Sequence, residues 1–244
     1  MKVLLVIDHG NTRTKAGVFI DGKISKVLVF NKMTAATCRN LLKKFHPEGV
    51  LLSAVGNLSQ SVIAVLKAES NLVILGKDTR LPIKNKYKTP ETLGPDRIAC
   101  AAAAQAFFPK KNILVIDAGT CIKYDFVDAK GNYHGGSISP GLEMRFNALH
   151  HYTAKLPKVK ATHIRSFIGV DTRTSILTGV VQGIVNEIEG FHQLYKRRFG
   201  SVKIVLTGGD SHYLSGLLKL SIFATPDLVL YGLYEILQHA NKSK

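Results

Sequence analysis

Val3-Leu4-Leu5-Val6-Ile7-Asp8-His9-Gly10-Asn11-Thr12 decides the reading of this chain, because its pattern returns as Ile113-Leu114-Val115-Ile116-Asp117-Ala118-Gly119-Thr120. In both stretches an apolar strand runs into an aspartate, skips one residue and reaches a glycine with a threonine close behind. Each is followed by a second strand and a hairpin. In the first copy Lys15 to Ile20 turns at Asp21-Gly22 into Ile24 to Phe30. In the second, Ile122 to Val127 turns at Gly131-Asn132 toward Tyr133 to Ser137. Helical patterns at 34–46 and 58–68 alternate with apolar runs at Val50 to Ala54 and Leu72 to Leu75. Strands alternating with helices predict an α/β fold, and the internal repeat predicts two duplicated lobes, 1–109 and 110–244, with the boundary near Pro109.

Composition sets the outer bounds. The chain has 244 residues, of which 45% are hydrophobic and 20% charged, enough apolar material for a buried core and no sign of a fibrous or disordered class. The first apolar run stops at Asp8, too short for a secretory signal, and no stretch reaches the roughly 20 apolar residues of a membrane helix. A cytoplasmic protein is expected. Cys38, Cys100 and Cys121 have no C-x-x-C spacing and read as reduced thiols. The net charge of +16 favours anionic partners, whether nucleic acid, acidic lipid or phosphorylated small molecules. The densest basic run, Lys196-Arg197-Arg198, reads as a solvated helix end whose cations complement the dipole.

The turns carry the chemistry. Gly10 lets backbone N–H groups approach a phosphate, Asn11, Thr12 and Thr14 add side-chain donors, and Arg13 and Lys15 add charge. Asp8 at the strand end can hold a hydrated Mg²⁺. An ordinary polar hairpin explains one such turn equally well; two at equivalent places in a duplicated lobe predict an interlobe nucleotide cleft. Thr207-Gly208-Gly209-Asp210 can admit a flat base against the backbone or simply cap a helix. The chain lacks G-x-x-x-x-G-K-[ST], and no G-x-G-x-x-G follows a strand, which excludes P-loop, dinucleotide-binding and protein-kinase readings.

Paired aspartate-glycine-threonine turns with a late T-G-G resemble the acetate and sugar kinase, heat-shock ATPase and actin superfamily, whose lobes are ribonuclease H-like. Within it, Gly94-Pro95-Asp96-Arg97, the run Gly135 to Gly141, Leu156-Pro157 and Ile168 to Thr172 resemble type III pantothenate kinases. The resemblance spans residues 3 to about 232 in family order. It implies that Asp8, His9, Gly10, Asn11, Thr12, Arg13, Thr14 and Lys15 line the phosphates of ATP, with Thr120 contacting them from the second lobe. It further implies a monovalent cation (K⁺ or NH₄⁺) at Asp117, and pantothenate on Tyr87, Gly94, Pro95, Asp96, Arg97 and Thr172. Asp96 would be the general base, in the first turn of a helix started by Pro95, and Arg97 could grip a substrate carboxylate.

Two departures stand out: His9 follows Asp8 where the family carries an aliphatic residue, and Cys121-Ile122-Lys123 follows the second turn. Lys123 could supply charge to the phosphates or replace part of the cation site. Over 174–198, Leu177, Val181, Ile184, Ile188, Phe191 and Tyr195 recur at spacings of four and three, a seam suited to another helix or to the chain's own sheet. The resemblance favours the former, a homodimer through this helix with Thr172 reaching the neighbouring substrate site. Competing readings are a catalytically inactive nucleic-acid-binding regulator and a different actin-like phosphotransferase; for a kinase, nucleic acid should bind only non-specifically.

Overall fold

The computed structural model describes residues 2–10, 13–164 and 166–241. Asn11 and Thr12 of the first turn lie outside the described residues. In chain order the elements are β1 (Val3–His9), β2 (Thr14–Ile20), β3 (Lys23–Phe30), α1 (Ala35–Phe45), β4 (Gly49–Ala54), α2 (Gln60–Glu69), β5 (Leu72–Ile74) and β6 (Lys84–Asn85). There follow α3 (Pro95–Phe107), β7 (Asn112–Ala118), β8 (Cys121–Val127), β9 (Asn132–Pro140), α4 (Leu142–His151), α5 (Thr172–Phe199), β10 (Val202–Thr207), α6 (Ser211–Ser215), β11 (Ile222–Ala224) and α7 (Leu228–Asn241). Two compact units result: Met1–Pro109 with Gly131–Tyr133 and Asp227–Lys244, and Lys110–Lys130 with His134–Pro226.

The first unit is a sheet in the order β3-β2-β1-β4-β5 with β1 antiparallel to β2 and parallel to β4. Its central strand is apolar from Val3 to Ile7 because both faces are covered there. Val3, Leu5 and Ile7 join Leu41, Leu42, Val62 and Leu66 of α1 and α2 in one core. The other face meets α7, which also lies along α3. Local chemistry sets the boundaries. Thr34 caps α1 by accepting from the Thr37 N–H at 3.1 Å. Asp21 and Gly22 both take positive φ, +46° and +87°, as a two-residue hairpin with right-twisted strands requires.

The second sheet has six strands in the order β11-β10-β7-β8-β9-β6, with β7 antiparallel to β8 and parallel to β10. Apart from the short edge strand β6, that is the connectivity of the first sheet repeated: a central strand, two following strands stacked to one side and a pair of parallel strands on the other. Helix α5 starts on a capping box formed by Asp171 and Thr174, runs 28 residues and ends at Gly200. Lys196, Arg197 and Arg198 occupy its last turn, where cations meet the helix dipole.

The expected helix-to-helix use of the α5 seam is corrected here. Leu177, Val181, Ile184 and Ile188 are buried with Ile116, Tyr124, Phe126 and Leu206 of the unit's own sheet, and Phe191 and Tyr195 pack on the same core. The sheet alone would leave that face wet, so the stripe is spent internally.

Candidate active site

In the first unit the β1–β2 turn is closed by Gly10 N–H donating to the Arg13 carbonyl at 3.2 Å and by His9 Nδ1 against Thr14 Oγ1 at 2.7 Å. Thr14 is buried and its hydroxyl faces His9, so it braces the turn. Asp8 ends the strand half-buried, in register with Lys15 on β2 and Ser53 on β4. The Lys15 ammonium lies 3.0 Å from Asp227 Oδ1, just ahead of α7. Ser53 was not foreseen: its buried Oγ has no partner among the described residues, beside the backbone of Asp8.

Gly94, Pro95, Asp96 and Arg97 open α3, with Pro95 at the first helical position, where its missing N–H costs nothing. The Asp96 carboxylate folds back so that Oδ1 accepts the Arg97 N–H at 3.0 Å. It lies 2.5 Å from where a Cβ on residue 94 would sit, so glycine there makes room for the carboxylate. Arg97 is buried and its guanidinium stands over the Tyr87 ring at 5.5 Å. The expected substrate residues Tyr87, Gly94, Pro95, Asp96 and Arg97 therefore form one cluster. It joins an acid, a buried guanidinium and an aromatic face, which suits a ligand carrying a hydroxyl and a carboxylate.

In the second unit two turns pack on the one that carries Thr120. Gly208 has φ +93°, open to glycine and strained for other residues, and a Cβ there would lie 2.3 Å from the Ala118 carbonyl oxygen. Asp210 N–H donates to that same carbonyl at 3.0 Å, and Gly141 N–H donates to the Thr120 carbonyl at 3.1 Å. The T-G-G-D segment is thus bound by its backbone to the β7–β8 turn. Burial, and secondarily the charge of Glu143, raise the Asp210 carboxyl above its ordinary pKa. Asp210, Glu143, Asn147, Lys158 and Lys160 rim a cavity of about 490 Å³ floored by Leu142, Phe146 and Val159. Asp117 carries its own counter-ion: Lys123 Nζ is 2.7 Å from Oδ2.

A polar cluster that sequence reading missed supports these turns. Glu187 of α5 accepts from Tyr124 Oη at 2.7 Å, from Ser139 Oγ at 3.1 Å and from Arg145 Nη2 at 2.6 Å. Arg145 Nε also donates to the Pro140 carbonyl at 2.9 Å, one residue before Gly141. Burial alone would raise the Glu187 carboxyl, but hydrogen bonds from Arg145, Tyr124 and Ser139 outweigh it and hold the carboxyl below its usual range. Burial and the bond to Glu187 push the Tyr124 phenol far above its ordinary value.

Thr172 begins α5 and is exposed in a groove of the second unit, about 960 Å³, lined also by Arg145, Leu149, Tyr152, Ile176 and Gly179. Tyr152 at the end of α4 and Phe167, Ile168 and Val170 on the chain leading into α5 are between 61% and 88% exposed. His150 and His151 end α4 on the surface, His150 bonded to the Leu156 carbonyl. Among the described residues no cluster of three or more His, Cys, Asp or Glu could ligate a metal, and no helix is long and apolar enough to cross a membrane.

Residues 4–194 match the family model for type III pantothenate kinase. A type III pantothenate kinase from Christiangramia forsetii is 45% identical over 236 residues, 96% of this chain and 97% of the relative. Among solved structures, a candidate Baf family transcriptional activator from Campylobacter jejuni superposes with TM-score 0.63 at 20% identity, covering 98% of this chain and 99% of the other. A candidate N-acetylmannosamine kinase from Listeria monocytogenes gives TM-score 0.54 at 13% identity, covering 97% and 99%. At those identities the two structures establish the actin-like fold and nothing about activity.

Proposed function

From the chain's membership of the type III pantothenate kinase family we propose how its own residues divide the work of phosphorylating pantothenate, the first step of coenzyme A biosynthesis. The single observation that carries the assignment is the Tyr87–Asp96–Arg97 cluster at the start of α3. Arg97 takes the pantothenate carboxylate and Tyr87 lies along its chain. Asp96 receives the proton of the primary hydroxyl as the hydroxyl oxygen bonds to the γ-phosphorus and the bond to the ADP oxygen breaks. In loose phosphoryl transfer that proton can leave late, so the fixed direction of the Asp96 carboxylate matters more than its basicity.

ATP phosphates fall to the β1–β2 turn, with Gly10, Arg13 and Lys15. Asp8, a hard oxygen donor at a strand end, suits a Mg²⁺ that keeps most of its waters, and the ion supplies charge neutralisation to the phosphates. The exposed apolar residues Tyr152, Phe167, Ile168 and Val170 ahead of Thr172 support a homodimer through the surface at the start of α5 in place of the buried seam. A biosynthetic enzyme with these substrates belongs in the cytoplasm. The test is ADP release with pantothenate, glucose, N-acetylmannosamine or acetate as acceptor. Pantothenate-dependent release is expected; release with a sugar and none with pantothenate refutes the reading.

A further inference from the structure

We infer that Lys123 is this chain's permanently bound monovalent cation, its ammonium doing at Asp117 what a free K⁺ or NH₄⁺ would otherwise do. The inference rests on the kinase reading. Asp117 and Lys123 are cross-strand partners on β7 and β8, and the ammonium sits 2.7 Å from Oδ2 with both side chains under 20% exposed. The other carboxylate oxygen, Oδ1, lies at the Gly208 turn, 2.6 Å from where a Cβ on that glycine would be. The bordering carbonyls are engaged as well: that of Ala118 accepts from Asp210 N–H, that of Thr120 from Gly141 N–H, and that of Gly208 from Ser211. A dissociable cation placed here would have to share one carboxylate with a fixed ammonium and meet its repulsion at close range. The residues present do not fit a free-cation site.

Register alone does not produce this pair. In the duplicated first unit Asp8 faces Lys15 across β1 and β2 in the same way, yet the Lys15 ammonium is held by Asp227 at 3.0 Å. The second lobe has closed its lysine onto its aspartate, directly beneath the turn that carries Thr120. A cation there offsets the carboxylate so that an incoming polyphosphate does not meet bare negative charge.

The experiment compares turnover in KCl, NH₄Cl, NaCl and choline chloride at equal ionic strength, for the wild type and for Lys123→Met, which keeps the stem and removes the charge. Wild-type kcat/KM for ATP should agree within about twofold across the four salts, while the variant should lose about tenfold in choline and recover in K⁺ or NH₄⁺. A second readout needs no turnover: the melting temperature of Lys123→Met should rise on replacing choline by K⁺, since only an emptied site binds the ion, while that of the wild type should not. Wild-type activation of about tenfold or more by K⁺ or NH₄⁺ overturns the inference. So does a variant as active as the wild type in choline, or one whose activity and melting temperature no cation moves. If the variant does not fold, the wild-type salt series alone decides. Absence of pantothenate-dependent turnover in every salt would count against the kinase reading, with the melting data still deciding the cation question.

Discussion

Replacing Glu187 by alanine removes the acceptor shared by Arg145, Tyr124 and Ser139 and leaves a guanidinium and a phenol without it. Fully exposed ion pairs contribute about 0–1 kcal/mol, and breaking a buried one costs about 3–5 kcal/mol. With side chains 20% and 23% exposed, the Arg145–Glu187 pair lies between those limits, so a loss of about 2–3 kcal/mol is expected. For a chain of this size that lowers Tm by about 5–10 °C, measurable by circular dichroism at neutral pH. The sign with pH follows from the depressed carboxyl. The folded state holds Glu187 ionised more strongly than the unfolded state does. Its contribution is therefore present above the unfolded pKa of about 4.3 and is lost as pH falls through the lower folded value. Glu187→Ala should accordingly flatten the acid limb of the stability curve. A double-mutant cycle with Arg145→Ala should return at least about 1 kcal/mol of coupling. A loss below about 0.5 kcal/mol, or strict additivity with Arg145→Ala, refutes the reasoning.

Asp96→Asn should lower kcat by about 10²–10⁴ with Tm and ATP binding nearly unchanged; wild-type turnover would remove Asp96 from the mechanism. Thr172→Ala should raise the KM for pantothenate more than that for ATP, read from paired saturation curves on one preparation. If only the ATP curve moves, the residue has been placed on the wrong substrate. DNA should bind weakly, without sequence preference, and lose affinity steeply between about 50 and 200 mM salt, as release of counterions requires. A preference for one duplex over its scrambled form that survives physiological salt would favour a regulator.

What the sequence determined is local or repeated. The two strand–Asp–x–Gly turns predicted a duplication, and five strands of the second sheet repeat the order of the first because each copy carries the same run of apolar strands and tight turns. Asp21-Gly22 predicted its hairpin because both positions need positive φ, and Pro95 predicted the start of α3 because its ring fits a helix only at the beginning. Sequence order also placed Tyr87, Asp96 and Arg97 close enough along the chain to meet.

What only the tertiary structure decided depends on partners far apart in sequence. The four-three spacing on α5 says that a stripe is buried and not what covers it; the chain's own sheet does. Helix α7, last in the chain, packs on α3 and β1 of the first unit. Tyr124, Ser139, Arg145 and Glu187 carry no motif, since their shared hydrogen bonds form only once β8, β9, α4 and α5 are assembled. Lys15 and Lys123 hold equivalent places in two equivalent hairpins, yet one pairs with Asp227 and the other with Asp117. A lysine's four-carbon stem reaches several acceptors, and the one it meets is set by the packing around it.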